Sequence, residues 1–452
     1  MANPGTELAV QNIELETFVT KIADLQQHFN KLQTRLDRDG NKKQCSNQTA
    51  RGGVQRAPFW VPTRVQGGAG IQQFAADSAG TVASWPRGTA SQFVSFAASP
   101  VRLINVCEIS NLSVEATSDK ETGLVRYDRE EMEKTLLTFE NGREAVLNSD
   151  GTGTIDVIQS TSVVSSNSGT GAQTSYISGL PNAPRFVDQQ VLQFVPAGGG
   201  TPRGGAGATA TISYVDPVAL TLWFSTALPS GIIATDLVVI LGATGSAGSS
   251  IYGKNYWINN SATGTRAGVN IALYPGRFQT PVINFGGSGS IVNSTAQRVE
   301  SIRMRALGDD YDANEKSFWL TNAVQGVALA DEFYNAGYTR LDEGGNKEVP
   351  DVARRNMQPT WGGREVVYSS TADQTRMDLF VPEDWWKGEL FETRLHNWTP
   401  GVTVAPVPTN DGTGATTYFD STQFAYECGE NWICSNSKRQ FSLQGLPVVA
   451  NS

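Results

Sequence analysis

The chain is poor in the residues on which most enzymes and secreted scaffolds depend. Its two histidines, His28 and His396, lie on separate segments, so a histidine triad or metal centre would require a long-range meeting. His28 sits beside an apolar seam and reads as a polar surface residue. His396 has no Cys, Asp or Ser neighbour at catalytic spacing. Four cysteines, Cys45, Cys107, Cys428 and Cys434, are too few and too scattered for a disulfide framework or a zinc site. Cys428 and Cys434 fall in what reads as one strand, which holds them roughly 20 Å apart, beyond disulfide reach. Only 17% of residues are charged and the net charge is -9, which argues against a broad basic face for nucleic acid. No basic segment followed by an apolar core opens the sequence, and no apolar run approaches the ~18 residues of a membrane span, so no membrane contact is expected. Asp309, Asp310 and Asp312 with Glu315 lack the glycine and bidentate glutamate of a calcium loop and read as a solvated loop. No catalytic residue, cofactor or metal is expected.

What the chain does contain is glycine, 46 of 452 residues, with enough apolar content (39%) for real cores. That balance predicts an α+β protein with many short strands and long loops. From Leu8 to Asp37 the residues Leu15, Phe18, Ile22, Leu25, Phe29, Leu32 and Leu36 alternate spacings of three and four. So narrow a stripe has to lie on another surface, a copy of itself or a groove on a neighbour, and these residues are expected at an interface between subunits. A polar linker follows from Asn41 to Gln55. Short apolar runs from Ala57 to Ser118, including Phe59 and Trp85, suggest an extended arm too poor in apolar residues to fold alone. Phe59 and Trp85 join the expected contacts between subunits.

Asp128 and Glu131 form a capping-box pattern before Met132, Leu136, Phe139 and Val146, which recur at helical spacing. This predicts a helix whose apolar stripe faces the chain's own sheet, with Glu130, Glu133 and Arg143 nearer solvent or a neighbour. Asn148-Ser149-Asp150-Gly151-Thr152-Gly153 ends it. Ile155–Ile158 and Ser162–Val164 start a sheet, and alternation from Arg185 to Gly245 predicts a small all-β barrel or sandwich. Helices are expected from Ser294 to Leu307, from Asn322 to Gly337 and around Glu383 to His396. Strands are expected at Arg364–Ser369, Met377–Val381, Thr422–Cys434 and Gln440–Gly445.

One motif points elsewhere. A strand precedes GATGSAG at Gly242 to Gly248, and Gly248 to Lys254 nearly spells a P-loop. Phosphate binding needs a helix next, and NYWINNSATGTRAG is broken by asparagine and glycine; Asn255 stands where magnesium needs Ser or Thr. A nucleotide-dependent enzyme is therefore the weak alternative.

The order of pieces, with LNSDGTG (Leu147 to Gly153), Arg266 to Pro275 and Gln444-Gly445-Leu446-Pro447, resembles a tailed-bacteriophage major capsid protein of the Hong Kong ninety-seven-like fold. The resemblance spans the chain from about Ala57 onward. It implies an N-terminal helical arm and linker (1–57), an extended loop reaching over a neighbour (58–120), and a spine helix opening the peripheral domain (121–184). It further implies an inserted all-β subdomain (185–245), an axial domain (246–375) and C-terminal strands returning to the peripheral domain (376–452). The implied function is self-assembly through pentamers and hexamers into an icosahedral shell around double-stranded DNA, with an acidic wall that does not grip the genome. Partners would be the chain itself, then portal, scaffold and decoration proteins, in a virion assembled in the host cytoplasm. The arm reads either as a scaffold-like segment removed on maturation or as a retained clamp. An encapsulin-like nanocompartment remains the second reading.

Overall fold

A computed structural model describes residues 31–45, 47–50, 53–56, 58–66, 92–110, 121–165, 175–246, 248–274, 276–287, 293–312, 315–335, 360–398, 405–410 and 416–447. Four helices longer than two turns lie among them: α1 (Lys31–Asp39), α2 (Glu121–Leu147), α3 (Asn293–Leu307) and α4 (Ala323–Asn335). Helix α2, 27 residues, is roughly 40 Å long at the rise of an α-helix. It starts at Glu121, seven residues before the expected cap, so Asp128 lies inside the helix and does not cap it.

Among the described residues, three large sheets carry most of the remaining structure, beside three two-stranded ones. The long sheet has five strands built on Thr416–Cys434, a 19-residue strand. Val101–Ser110 runs antiparallel along one side of it, pairing Ser110 with Ser421 through Val101 with Glu430. Trp385–Leu395 and Ala405–Asn410 pair on it, and Asn41–Gln44 adds in parallel to Trp385–Leu395. Three expectations change here. Val101–Ser110, read as part of the arm, is a sheet strand; Asn41–Gln44, read as linker, is another. The segment expected as a helix at Glu383 to His396 is the strand Trp385–Leu395. Its Glu, Leu and Lys favour helix locally, but pairing on both sides and burial of Trp385, Lys387 and Leu395 override that preference.

Helix α2 packs on this sheet. Leu136 and Phe139 meet Ile109, Leu395, Phe424, Tyr426 and Cys428, with Met132 at the margin. Alternation explains the choice of face: Leu103, Asn105, Cys107 and Ile109 share the helix side of their strand, and Arg102, Ile104, Val106 and Glu108 are exposed on the other.

The second sheet has seven strands in the order Thr154–Val157, Leu237–Ile240, Val191–Val195, Ala210–Asp216, Thr221–Phe224, Ser175–Ser178 and Val163–Ser165. Every pairing is antiparallel, and Ile177, Leu192, Phe194, Ile212, Leu222 and Phe224 form a core of its own. The all-β unit therefore begins directly after α2, about thirty residues before the expected start, since Ile155 and Val163 belong to the same sheet as the later strands.

The third sheet has six strands, from Val282–Asn284 through Phe441–Gln444, Met377–Phe380, Phe318–Thr321 and Arg364–Tyr368 to Thr360–Trp361. Val299 of α3 and Leu329 of α4 pack on it with Trp319, Trp361, Leu379 and Leu443. Two strands expected to return to the peripheral domain, Met377–Phe380 and Phe441–Gln444, thus pair in this sheet.

A central cluster joins these parts. Leu32, Leu36, Phe59, Phe96, Val146, Trp257, Phe318, Phe380, Trp385 and Trp432 are buried together. Burying a large aromatic or aliphatic side chain stabilises by roughly 2 kcal/mol, so this junction holds α1, the strands of Phe59 and Phe96, α2, the long sheet and the six-stranded sheet in one arrangement.

Candidate assembly surfaces

The arm begins as an antiparallel hairpin, Phe59–Gln66 with Gln92–Ala98. Its strands alternate, so Phe59, Val61, Phe96 and Ala98 enter the central core while Trp60 (54% exposed) and Phe93 (63%) face outward. Phe96 packs edge-on against Trp257 and Phe278, each at 5.1 Å between ring centroids. The Ala97 amide donates to the Ala267 carbonyl at 2.9 Å, and Arg277 Nη2 donates to the Arg64 carbonyl at 3.0 Å. Arg266 locks the supporting loop: its buried guanidinium donates to the carbonyls of Phe278 (2.7 Å) and Asn259 (3.1 Å). With no carboxylate among those partners, burial lowers its pKa. The base is bonded to the body of the subunit, and the outward face carries Trp60, Pro62 and Phe93 beside Arg64 and Ser95.

Phe59, expected at a subunit interface, is 3% exposed within its own chain. Its ring fills the space over Gly388, where any side chain would collide with it. Its neighbour Trp60 is the one that faces outward; a strand period of two places adjacent aromatics on opposite faces. Trp85 lies outside the described residues.

Of the seam, Leu15, Phe18, Ile22, Leu25 and Phe29 also lie outside the described residues. Leu32 and Leu36 are 0% and 1% exposed, packed in the central cluster, so the end of the seam is covered by its own subunit. Helix α1 is tied down on two sides: Arg35 pairs with Glu365 of the six-stranded sheet, and Asp37 with Lys387 of the long sheet at 3.2 Å. Beyond it, Lys43 Nζ donates to the Trp60 carbonyl at 2.8 Å. The arm's root spans both sheets and the hairpin.

Sequence reasoning missed a buried chain of charges between α2 and the long sheet. Arg143, expected near solvent, is 3% exposed; its Nε donates to Glu430 Oε1 at 2.7 Å and its Nη1 lies 3.3 Å from Glu140. Lys387 continues the chain to Glu430 at 3.3 Å and on to Asp37. Burial alone would raise the Glu430 carboxyl, but Arg143 and Lys387 hold it down at about 2. A single polar position on an amphipathic helix carries no sign of a partner so distant in sequence. Glu133, expected nearer solvent or a neighbour, is half-buried, and the side chain of Glu130 lies outside the described residues.

The nucleotide-like glycines have a structural use. Gly253 sits against the carbonyls of Val146, Leu147 and Ser149, too close for a side chain, so the loop closes the C-terminal end of α2. The Asn255 amide donates to the Ser149 carbonyl at 3.1 Å. Lys254, the would-be phosphate ligand, is buried against Asp378 and pairs with Asp373 at 3.7 Å. His396 lies 3.3 Å from Glu427 and 3.0 Å from Arg102, an ion cluster holding no nucleophile. Among the described residues no group of His, Cys, Asp and Glu is placed to hold a metal, and no helix is long and apolar enough to cross a membrane.

The three sequence phrases are fasteners. Asn148 Nδ2 donates to Thr371 Oγ1 at 3.0 Å, Arg266 closes the loop under the hairpin, and Pro447 accepts from Gln325 Nε2 at 2.8 Å.

No family profile and no curated protein matches the sequence. Solved structures do. A chain of the cyanophage A-1(L) capsid asymmetric unit superposes with a TM-score of 0.51 at 9% identity, covering 91% of this chain and 92% of that one. A chain from Gordonia phage Cozz (TM-score 0.41, 9% identity, 90% and 85% covered) overlaps less. So does one from the SrpI encapsulin complex of Synechococcus elongatus (0.38, 10%, 92% and 88%).

Proposed function

We infer, from a chain that carries the Hong Kong ninety-seven-like capsid fold along nearly its whole length, that this protein is a shell subunit: the major capsid protein of a tailed phage. The observation that carries the reading is the superposition on the cyanophage subunit over nine-tenths of both chains. The hairpin supports it, because an arm bonded at its base and carrying Trp60 and Phe93 on its outward face is suited to lie on a neighbouring copy.

In this reading copies associate as pentamers and hexamers and close into an icosahedral shell around double-stranded DNA. Closure multiplies weak contacts, so stability resides in the number of repeated interfaces. The balance of -9 suits a wall that does not bind DNA tightly, and no side chain is assigned a catalytic role. Portal, scaffold and decoration proteins are the further partners, assembly takes place in the host cytoplasm, and the seam upstream of Lys31 packs on a neighbouring subunit.

The test is nuclease treatment of particles purified from producing cells, followed by extraction of their contents. Protected double-stranded DNA is the expected result. Particles filled with a protein cargo and free of DNA would move the assignment to an encapsulin-like compartment, and protein that never sediments as particles would overturn the shell reading.

A further inference from the structure

We propose that the outer face of the seven-stranded sheet, at Tyr214, Trp223 and Tyr176, is a binding site for an uncharged glycan. The three aromatics stand opposite one another on adjacent strands: Tyr214 pairs with Trp223, and Trp223 with Tyr176. Their strand neighbours Ile212, Leu222, Phe224 and Ile177 fill the inner core, so no inward space competes for the rings. At the spacing of paired strands the row is roughly 10 Å long, about two sugar rings. Trp223 and Tyr176 lie 5.0 Å apart at 46°, a twisted platform, and Tyr214 is 47% exposed.

The chemistry around the row selects the ligand. Ser165 continues it, and the next row on the same face is Asp216, Thr221, Ser178 and Val163. Neither row contains a lysine or arginine. Nothing there would neutralise a phosphate or carboxylate, which disfavours nucleic acid and acidic polymers. Two carboxylates lie at this strand and both are engaged: Asp216 Oδ1 accepts from the amides of Val218 (3.0 Å) and Ala219 (2.9 Å), and Asp188 Oδ1 accepts from the amide of Val215 (3.0 Å). Thr221 is buried with its hydroxyl donated to the Ala219 carbonyl, which leaves the hydroxyls of Ser165 and Ser178 beside the aromatic faces; that set matches a neutral sugar, which offers C–H faces for stacking and hydroxyls at its rim. A second copy of the chain is a poor occupant. Aromatics bury about 150–250 Å² each, and with Trp223 and Tyr176 already half-buried the row offers below about 400 Å². That is around half of the ~800 Å² per partner of a stable protein interface.

Saturation-transfer NMR on the purified full-length protein tests this, using maltohexaose, cellohexaose and laminarihexaose as probes and a hexagalacturonate as the charged control. Transfer to ring C–H protons of at least one neutral hexaose is expected, reduced at least fivefold by Tyr214→Ser and by Trp223→Ala and retained by Tyr214→Phe. Should Trp223→Ala fail to fold, the Tyr214 pair decides, since that residue is half exposed at the end of the row. No transfer from any of the three neutral probes would overturn the proposal, as would transfer unchanged by Tyr214→Ser or seen only with the acidic control. The readout does not depend on whether shells form, so its failure is separable from failure of the capsid assignment.

Discussion

Replacing Arg143 by Met removes one member of the buried charge chain while keeping a helix former of similar length. Glu430, 2% exposed, would then keep Lys387 as its cation, and Glu140 would lose its own contact with Arg143. Breaking a buried, hydrogen-bonded pair from one side costs about 3–5 kcal/mol. Glu430 itself sets a comparable scale: its carboxyl is drawn from 4.5 to about 2, which at ~1.4 kcal/mol per unit is roughly 3 kcal/mol of stability at neutral pH. Because the folded value is the lower one, that contribution is complete above the unfolded value and is lost as pH falls from about 4.5 towards 2. Hydrogen exchange of the amides at residues 131–147 and 426–434 reads local opening without assuming that a chain of several cores unfolds in one step. Arg143→Met should speed exchange there roughly a hundredfold at pH 7, and Glu430→Gln should flatten the acid dependence between pH 5 and 3. Acceleration below about fivefold, or an acid response unchanged in Glu430→Gln, would refute the claim that these charges fasten the helix to the sheet.

Other outcomes follow from the same geometry. Phe59→Ala should cost about 3–5 kcal/mol in urea unfolding, whereas Trp60→Ser should leave stability within about 0.5 kcal/mol and impair particle formation in sedimentation; the reverse pattern would invert the assigned hairpin faces. Leu36→Ala, at a site 1% exposed, should destabilise by about 3 kcal/mol even in dissociated subunits, while Leu25→Asp with Phe29→Asp should act on assembly alone; normal particles from that double variant would remove the seam from the interface. Asp384 behaves opposite to Glu430: burial pushes its carboxyl up to about 6 despite Arg439, so its contribution is present at low pH and lost as pH rises through about 6. Asp384→Asn should therefore weaken the pH dependence of unfolding between about 4 and 6, and an identical profile would show the site to be solvated.

The sequence was most legible where one face of an element does one job. Met132, Leu136 and Phe139 recur at helical spacing and meet the sheet as that spacing requires, and Leu220 to Phe224 alternates because only one face reaches the core of the all-β unit. Legibility failed where distant partners decide. Trp385–Leu395 carries helix-favouring residues, but the long strand beside it leaves no room for a helix. Arg143 looked like a surface position because Glu430, 287 residues away, is invisible to local pattern. Phe59 and Trp60 could not be told apart until the hairpin's register fixed which one points inward. The glycines from Gly242 to Gly253 imitate a nucleotide loop because both uses need backbone brought close to oxygen atoms. Here the close approach is made by Gly253, and the oxygens are the carbonyls of Val146, Leu147 and Ser149 at the end of α2.

The central claim is that this chain builds a closed shell, and an electron micrograph of the purified full-length protein tests it most directly. The account predicts round particles of uniform diameter, with five- and six-fold clusters whose subunits lay the Trp60 and Phe93 face of the hairpin on a neighbour. Monodisperse small oligomers under conditions where the fold is intact would contradict it.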